Sequence, residues 1–307
     1  MQRKKGSFKV GLEYGLFAGM ISLVRNSPAW ALRLERKLLV FFLKKASPRH
    51  SRLVAANLAL AFPADDPVGR NNLKTRVYDH FGKVFMEILL TFARNDPRAV
   101  LARARIRHAE ILESALEKRR GVIVFSAHFG NWEWIPLLLR DRLGREIHSI
   151  ARPMDNPRIE GKVREFREAM GSRVIYKQGS LRTILKRLAG NGVVYLLIDQ
   201  NTVPREGVFV DFFGRPAATV TTVAQLYLKK KIPAVPVFLH YEGGEIVLDV
   251  LPEIDVPAAG DDPAAVTALT QKMTLLIEDQ VRRFPEQWFW FHDRWKTRPQ
   301  GETHESQ

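Results

Sequence analysis

Residues 122–133 read Val122-Ile123-Val124-Phe125-Ser126-Ala127-His128-Phe129-Gly130-Asn131-Trp132-Glu133. The first five residues form an apolar run rich in β-branched side chains, which is typical of a buried strand. Gly130-Asn131 breaks this run, and the residues from Trp132 to Arg142 have the composition of a helix. His128 therefore lies between the end of a strand and the start of a helix, at the edge where open α/β sheets bind ligands.

The spacing His-x4-Glu predicts chemistry at this edge. On one continuous helix, a five-residue step turns a side chain away by about 140°, so we expect His128 before the helix and Glu133 in its first turn. Glu133 can then accept the Nδ1 proton of His128, which leaves Nε2 free to take a proton from a substrate alcohol. The alternative is that His128 caps the helix and that the helix dipole favours an acid at Glu133.

The composition limits the possible chemistry and the possible partners. The 307-residue chain has 46% hydrophobic and 26% charged residues and contains no cysteine, which excludes disulfides, a thiolate nucleophile and Cys-based zinc sites. The net charge of +15 predicts an anionic partner. We find no zinc-finger, ribonucleoprotein or basic-zipper pattern, so we expect an anionic membrane surface and no nucleic acid.

The first 95 residues are predicted to be helical. An apolar stretch from Phe8 to Val24 is interrupted by Lys9 and Glu13, and we expect a helix that lies on or dips into a bilayer. A single membrane span and a buried N-terminal helix are the alternatives. Further helices are predicted over Leu32–Lys45, where cations flank an apolar run, and over 49–61 and 68–93.

From about Ile106 the pattern changes to alternating strands and helices. Such alternation predicts an α/β fold with a largely parallel mixed sheet, covered by helices on both faces. We divide the chain into an N-terminal helical, membrane-associating region (1–95), an α/β core (96–300) and a disordered tail (301–307).

Polar residues follow two further predicted strands. Arg152 comes after the strand over 147–151 and could hold a phosphate or carboxylate, although the Pro- and Asn-rich stretch from Pro153 to Pro157, which includes Asn156, could simply form a turn. Asp199-Gln200 ends the strand over 193–198 and is either part of the site or a cap. Arg167 lies in the helix between these strands.

Two aromatic segments near the C-terminus allow two interpretations each. The segment 210–217, which contains Phe212-Phe213-Gly214, reads as a loop that either lines an acyl-chain tunnel or is pinned into the core. The segment 284–296 holds three of the six tryptophans and fits either a membrane interface or a core-closing element. We find no metal site, no Gly-rich phosphate loop and no Gly-x-Ser-x-Gly motif, so we expect no metal and no cofactor.

Five motifs in order resemble one family. They are Ser126 to Glu133, Arg152 to Pro157, Asp199-Gln200, Phe212 to Ala217, and the ending from Pro285 to Lys296; Asn57-Leu58 and Phe62-Pro63 fit as well. Together they resemble the bacterial lipid A biosynthesis (lauroyl/myristoyl) acyltransferases of the lysophospholipid-acyltransferase superfamily, over most of the chain.

This resemblance implies an inner-membrane enzyme on the cytoplasmic face. It would move a fatty acyl group from acyl carrier protein, or from acyl-CoA, to a hydroxyl of a lipid A precursor or a related glycolipid. The resemblance makes His128 and Glu133 catalytic and gives Arg167 and Asp199 a part in the site. We expect Arg152, Asn156 and Gln200 to bind substrate, and Gly130 and Asn131 to belong to the loop whose N–H groups stabilise the oxyanion. The rival hypothesis is a basic membrane-surface protein without chemistry.

Overall fold

Five helices of the chain begin with the same local signal. A polar side chain, followed by proline at the first helical position, accepts a backbone N–H at Ser47, Asp66, Asp96, Asn156 and Asp262. Proline suits this position because its missing N–H would have no partner there. The capping residue and the proline are both visible in the sequence, and together they mark where each of these five helices begins.

The computed structural model describes residues 7–45, 47–177, 179–255, 260 and 262–301. Its helices are α1 (Ser7–Asn26), α2 (Ala29–Lys45), α3 (Pro48–Ala61), α4 (Pro67–Arg94), α5 (Pro97–Leu101), α6 (Glu110–Glu117), α7 (Ile135–Leu143), α8 (Pro157–Ala169), α9 (Ser180–Ala189), α10 (Thr222–Lys230) and α11 (Pro263–Arg283). The tail predicted to be disordered lies outside the described residues from residue 302 onward.

The strands form a seven-stranded sheet and a separate hairpin. They are β1 (Ala104–Arg107), β2 (Val122–Ser126), β3 (Ile147–Ala151), β4 (Ser172–Tyr176), β5 (Val193–Leu197), β6 (Gly207–Phe212), β7 (Arg215–Val220), β8 (Ala234–Glu242) and β9 (Glu245–Val250). The sheet order is β1-β9-β8-β2-β5-β3-β4, and only the β8–β9 pair is antiparallel. The predicted α/β class and the largely parallel mixed sheet are confirmed.

The core covers both faces of this sheet. Successive side chains of a strand point to opposite faces, so Ile123 and Phe125 pack with α3, α4 and α11, whereas Val122 and Val124 pack with α6 and α7. Helices α3 and α4 thus share their core with the sheet. The proposed division at residue 95 remains a prediction.

The segment read as a loop over 210–217 is instead part of the β6–β7 hairpin. Its turn has left-handed backbone at Phe213 (φ 56°) and Gly214 (φ 71°), the geometry that matches the twist of the strands in a tight hairpin. Phe212 and Phe213 are buried against the C-terminal tryptophans. The core interpretation of this segment is confirmed, and the acyl-tunnel interpretation is wrong for these two side chains.

The C-terminal aromatic segment also closes the core. Trp288, Trp290 and Trp295 are buried, with the Trp288 and Trp290 rings 4.6 Å apart. A membrane-interface role is therefore wrong for these three tryptophans. The segment also contacts the loop that follows β2: the N–H of Phe289 donates to the carbonyl oxygen of His128 at 2.9 Å.

Candidate active site

The ends of two neighbouring strands bring His128 and Asp199 together. In the parallel β2–β5 pair, Ser126 lies opposite Leu197, so residues two positions further along each strand meet beyond the sheet. Nδ1 of His128 and Oδ1 of Asp199 are 2.8 Å apart, and the His128 backbone N–H donates to Oδ2 at 3.0 Å. The sheet register therefore assembles an imidazole–carboxylate pair from residues 71 positions apart in the chain.

Asp199 is held as a carboxylate inside the protein. Burial by itself raises the pKa of this group, but His128 outweighs it, with help from Trp288, and the pKa of Asp199 is lowered. The indole Nε1 of Trp288 donates to Oδ2 at 2.8 Å. A carboxylate with these donors can fix the orientation of the imidazole and stabilise its protonated form.

The other ring nitrogen of His128 faces a large cavity. This cavity of about 1300 Å³ is lined by His128, Trp132 and Gln200, among others. The Gln200 amide nitrogen lies 3.4 Å from Nε2 of His128, and the Trp132 ring packs edge-on against the imidazole at 5.1 Å. The Nε2 atom is therefore placed to meet a group that enters the cavity.

The predicted contact between Glu133 and His128 is not what the structure has. Glu133 instead forms a bidentate ion pair with Arg167, with distances of 2.7 Å from Nη2 to Oε1 and 3.1 Å from Nε to Oε2. Burial works against the charge of Arg167, yet Glu133 outweighs burial and raises the pKa of this guanidinium. The acceptor of the imidazole proton is Asp199, because the neighbouring strand end lies closer to Nδ1 than the first helical turn does.

The Glu133–Arg167 pair nevertheless belongs to the same cavity. Both side chains line its wall, and Arg167 projects from the last turn of α8. Glu133 uses Nε and Nη2 of Arg167 and leaves Nη1 for another acceptor. Arg167 therefore lies at the cavity, where the resemblance places it. Its partner there is Glu133, a contact that the sequence did not indicate.

The remaining predicted residues divide into two groups. Arg152 and Gln200 line the cavity. Arg152 is exposed, and its Nη2 lies 3.5 Å from Oδ1 of Asp155. Asn156 does not line the cavity, because its side chain caps α8 and donates to the carbonyl of Val10 and to Glu13, both at 3.0 Å. The structure thus gives Asn156 a role in capping α8 and holding α1, and its contact with substrate stays a prediction.

Gly130 and Asn131 hold the loop in place behind the cavity. The Gly130 N–H donates to the carbonyl of Gln287 at 2.9 Å, so it is not available to an oxyanion. Its φ is +54°, and an added Cβ would lie 1.9 Å from the carbonyl oxygen of Leu239, so only glycine fits there. Asn131 is fully buried and does not line the cavity. The oxyanion role of this loop stays a prediction, to which the Gly130 N–H does not contribute in this geometry.

Sequence reasoning missed two residues of the site. Trp288 contacts Asp199 directly, and His292 lines the cavity and accepts the backbone N–H of Asn201 at 2.9 Å. Burial lowers the pKa of His292, which agrees with its role as a neutral acceptor. The aromatic residues of the C-terminal segment were the one sign of these residues in the sequence. The segment contacts the loop after β2, and this contact brings Trp288 and His292 to the site. In the part of the chain that the structure describes, no group of three or more His, Asp or Glu residues is placed to hold a metal ion.

Comparison with known proteins identifies the family of this α/β fold with its His–Asp site. The family model for bacterial lipid A biosynthesis acyltransferases matches residues 2–297. The chain therefore belongs to this family and is an acyltransferase.

Individual relatives are more distant. The chain is 26% identical to the lipid A biosynthesis lauroyltransferase of Escherichia coli (strain K12), over 86% of this chain and 84% of the relative. It is 24% identical to the lipid A biosynthesis myristoyltransferase of the same organism, over 85% and 78%. It is also 28% identical to the phosphatidylinositol mannoside acyltransferase of Mycolicibacterium smegmatis, over 60% of each chain. These relatives differ in their named lipids and agree in acyl transfer.

Proposed function

We propose that the protein transfers a fatty acyl group from acyl carrier protein, or from another acyl thioester, to a hydroxyl of a lipid A precursor. The observation that carries this proposal is the His128–Asp199 pair at a cavity large enough for lipid, in a chain of this family. We also propose that the enzyme works on the cytoplasmic face of the bacterial inner membrane, where both its lipid acceptor and a soluble carrier can reach it.

In the proposed reaction, Nε2 of His128 takes the proton from the acceptor hydroxyl. The hydroxyl oxygen attacks the thioester carbonyl, the new C–O bond forms, and the C–S bond breaks as the carbonyl re-forms. The proton on His128 passes to the departing thiolate. Asp199 orients the imidazole and stabilises its positive charge throughout, so the nucleophile comes from the substrate and no covalent enzyme intermediate forms.

The arginines of the cavity have a separate part in this proposal. Glu133 holds Arg167 against the cavity wall, and Arg167 binds an anionic group of the substrate, such as a sugar phosphate or the phosphopantetheine phosphate. Arg152, at the exposed rim, adds a second positive charge. Glu133 thus acts on the reaction by positioning Arg167.

A different glycolipid acceptor is the second candidate. Similarity to a phosphatidylinositol mannoside acyltransferase supports it. Incubating the purified protein with acyl carrier protein or coenzyme A thioesters, against both lipid classes, distinguishes the two acceptors and the two donors.

Replacement of His128 tests the mechanism. We expect His128→Ala to lower the turnover rate by about 10²–10⁴-fold, because the hydroxyl loses its general base. His50→Ala, on the exposed surface of α3, is the matched control and should keep normal turnover. A folded His128→Ala protein with near-normal activity would contradict the proposal.

A further inference from the structure

Helices α1 and α2 present an apolar surface that the described residues of the chain do not cover. Ten large apolar side chains of these helices are exposed, and together they define the α1–α2 face: Phe8, Leu12, Leu16, Met20, Leu23, Trp30, Leu34, Leu38, Phe41 and Phe42. They follow one another at intervals of three or four residues along most of each helix, so each set forms a continuous stripe. An apolar surface of this extent marks an interaction site.

The charge around this face indicates what covers it. Residues 7–45 contain seven Lys and Arg against two Glu, a net charge of +5. Arg33 and Lys37 are exposed on α2 next to its apolar stripe. An apolar helix face bordered by cations fits a bilayer with anionic headgroups, into which the apolar side chains insert while the cations stay at headgroup level.

Helix α1 is the one described helix long and apolar enough to cross a membrane, judged by length and composition. Its opposite face, however, is attached to the protein along most of its length. Near the N-terminal end, Asn156 donates to the carbonyl of Val10 and to Glu13. In the middle, the rings of Phe17 and Phe92 pack edge-to-face at 5.4 Å.

The C-terminal end of α1 is attached as well. Nε of Arg25 donates to the carbonyl of Ala93 at 2.6 Å, and Val24 is buried. Contacts from residue 10 to residue 25 cover roughly 22 Å of helix. A crossing α1 would therefore carry α8 and the end of α4 into the hydrocarbon beside it.

The surface of α8 does not tolerate hydrocarbon. It carries the exposed ion pairs Lys162–Glu165 and Arg164–Glu168, whose transfer into lipid is strongly unfavourable. We propose that α1 does not cross the membrane and that α1 and α2 lie side by side in the plane of an anionic membrane interface, inserted through the α1–α2 face.

This orientation places the membrane beside the cavity, a consequence that rests on the proposed function. Asn156 contacts α1 and is only four positions from Arg152, which lines the cavity rim. The exposed Met154 lies between them. A lipid acceptor can therefore pass from the interface to His128 without leaving the membrane surface.

The sidedness of single cysteines tests the proposal. The chain has no cysteine, so Ser7→Cys, Asn26→Cys and Asp141→Cys each report one position: the two ends of α1 and the exposed surface of α7. The full-length variants are labelled with a membrane-impermeant maleimide in spheroplasts and in inside-out vesicles from an expressing bacterium, relative to total labelling in detergent. We expect all three to react from the same side. Any other pattern overturns the in-plane arrangement.

Vesicle flotation tests the face itself. We expect the pair Phe41→Glu and Phe42→Glu to weaken binding to phosphatidylglycerol–phosphatidylethanolamine vesicles by at least about tenfold, because two inserted rings are lost. The pair Val68→Glu and Leu275→Glu removes equally exposed apolar side chains on α4 and α11 and should bind normally. Equal loss in both pairs contradicts the proposal. Turnover in detergent micelles, measured in parallel, reports the proposed function separately from membrane binding.

Discussion

At the scale of single residues, the site holds two carboxylates with different partners: Asp199 contacts His128, and Glu133 contacts Arg167. His128 and Asp199 are recognisable in the sequence because each follows a buried strand at one sheet edge, whereas Arg167 is indicated only by the family resemblance. The sequence predicts Glu133 as the partner of His128 because the two residues are only five positions apart. The actual partner depends on which strand lies next to β2, and this order cannot be read from a strand's own residues. Residue types were therefore predictable, and their contacts were not.

Two substitutions separate the roles of the acids. We expect Asp199→Asn to lower kcat by about 10²–10⁴-fold, because the imidazole of His128 loses the carboxylate that orients it. Glu133→Gln should instead raise KM more than it lowers kcat, because it acts by positioning the substrate-binding Arg167.

The matched measurement is a double-mutant cycle. Combining Glu133→Gln with Arg167→Lys should cost less than the sum of the single effects, since both disrupt one bidentate pair. A fall in kcat without a change of KM in Glu133→Gln, or full additivity in the cycle, would restore a direct role for Glu133 at the imidazole.

At the scale of elements, long periodic helices and buried strands were predictable, and the β6–β7 hairpin was not. Hairpin turns with two left-handed residues usually carry Asn-Gly or Asp-Gly. Here the turn is Phe213-Gly214, and burial of the aromatic ring against the tryptophans offsets the unfavourable backbone. Helix α10 begins only at Thr222, because Val220 completes β7.

The loop after β2 provides the prediction at this scale. We expect Gly130→Ala to lower the free energy of unfolding by about 2–5 kcal/mol, through left-handed strain and overlap with the Leu239 carbonyl. Gly144→Ala is the control: its φ is +61° with no atom within 4 Å of an added Cβ, so it should cost only about 1–2 kcal/mol. Urea denaturation measures both, and equal values would mean that the close approach to Leu239 is unimportant.

At the scale of the whole molecule, the C-terminal segment joins distant parts of the chain. Nδ2 of Asn57, on α3, donates to the carbonyls of Trp290 and His292 at 2.9 and 2.8 Å, while Gln287 bonds the backbone of Tyr241 on β8. Such contacts, between residues 46 to 235 positions apart, leave no local pattern in the sequence. This is why the segment's part in the site was missed.

Removing the Asn57 amide should therefore destabilise the whole protein. We expect Asn57→Ala to lower the free energy of unfolding by about 2–3 kcal/mol, because it leaves two carbonyls in the protein interior without a donor. Asn72→Ala, at an exposed position of α4, should change it by less than about 0.5 kcal/mol. Similar effects of the two substitutions, measured by thermal or urea unfolding, would show that the amide contributes little.

The opposite positions of Ser126 and Leu197 in the β2–β5 pair have a consequence for how the chain becomes active. Neither strand carries a working base by itself, and the intervening segment must fold before the two strands can pair. Recovery of turnover during refolding should therefore lag behind helix formation and coincide with the docking of β5 onto β2. The recovery of activity thus reports a non-local step of folding, the pairing of two strands 71 residues apart.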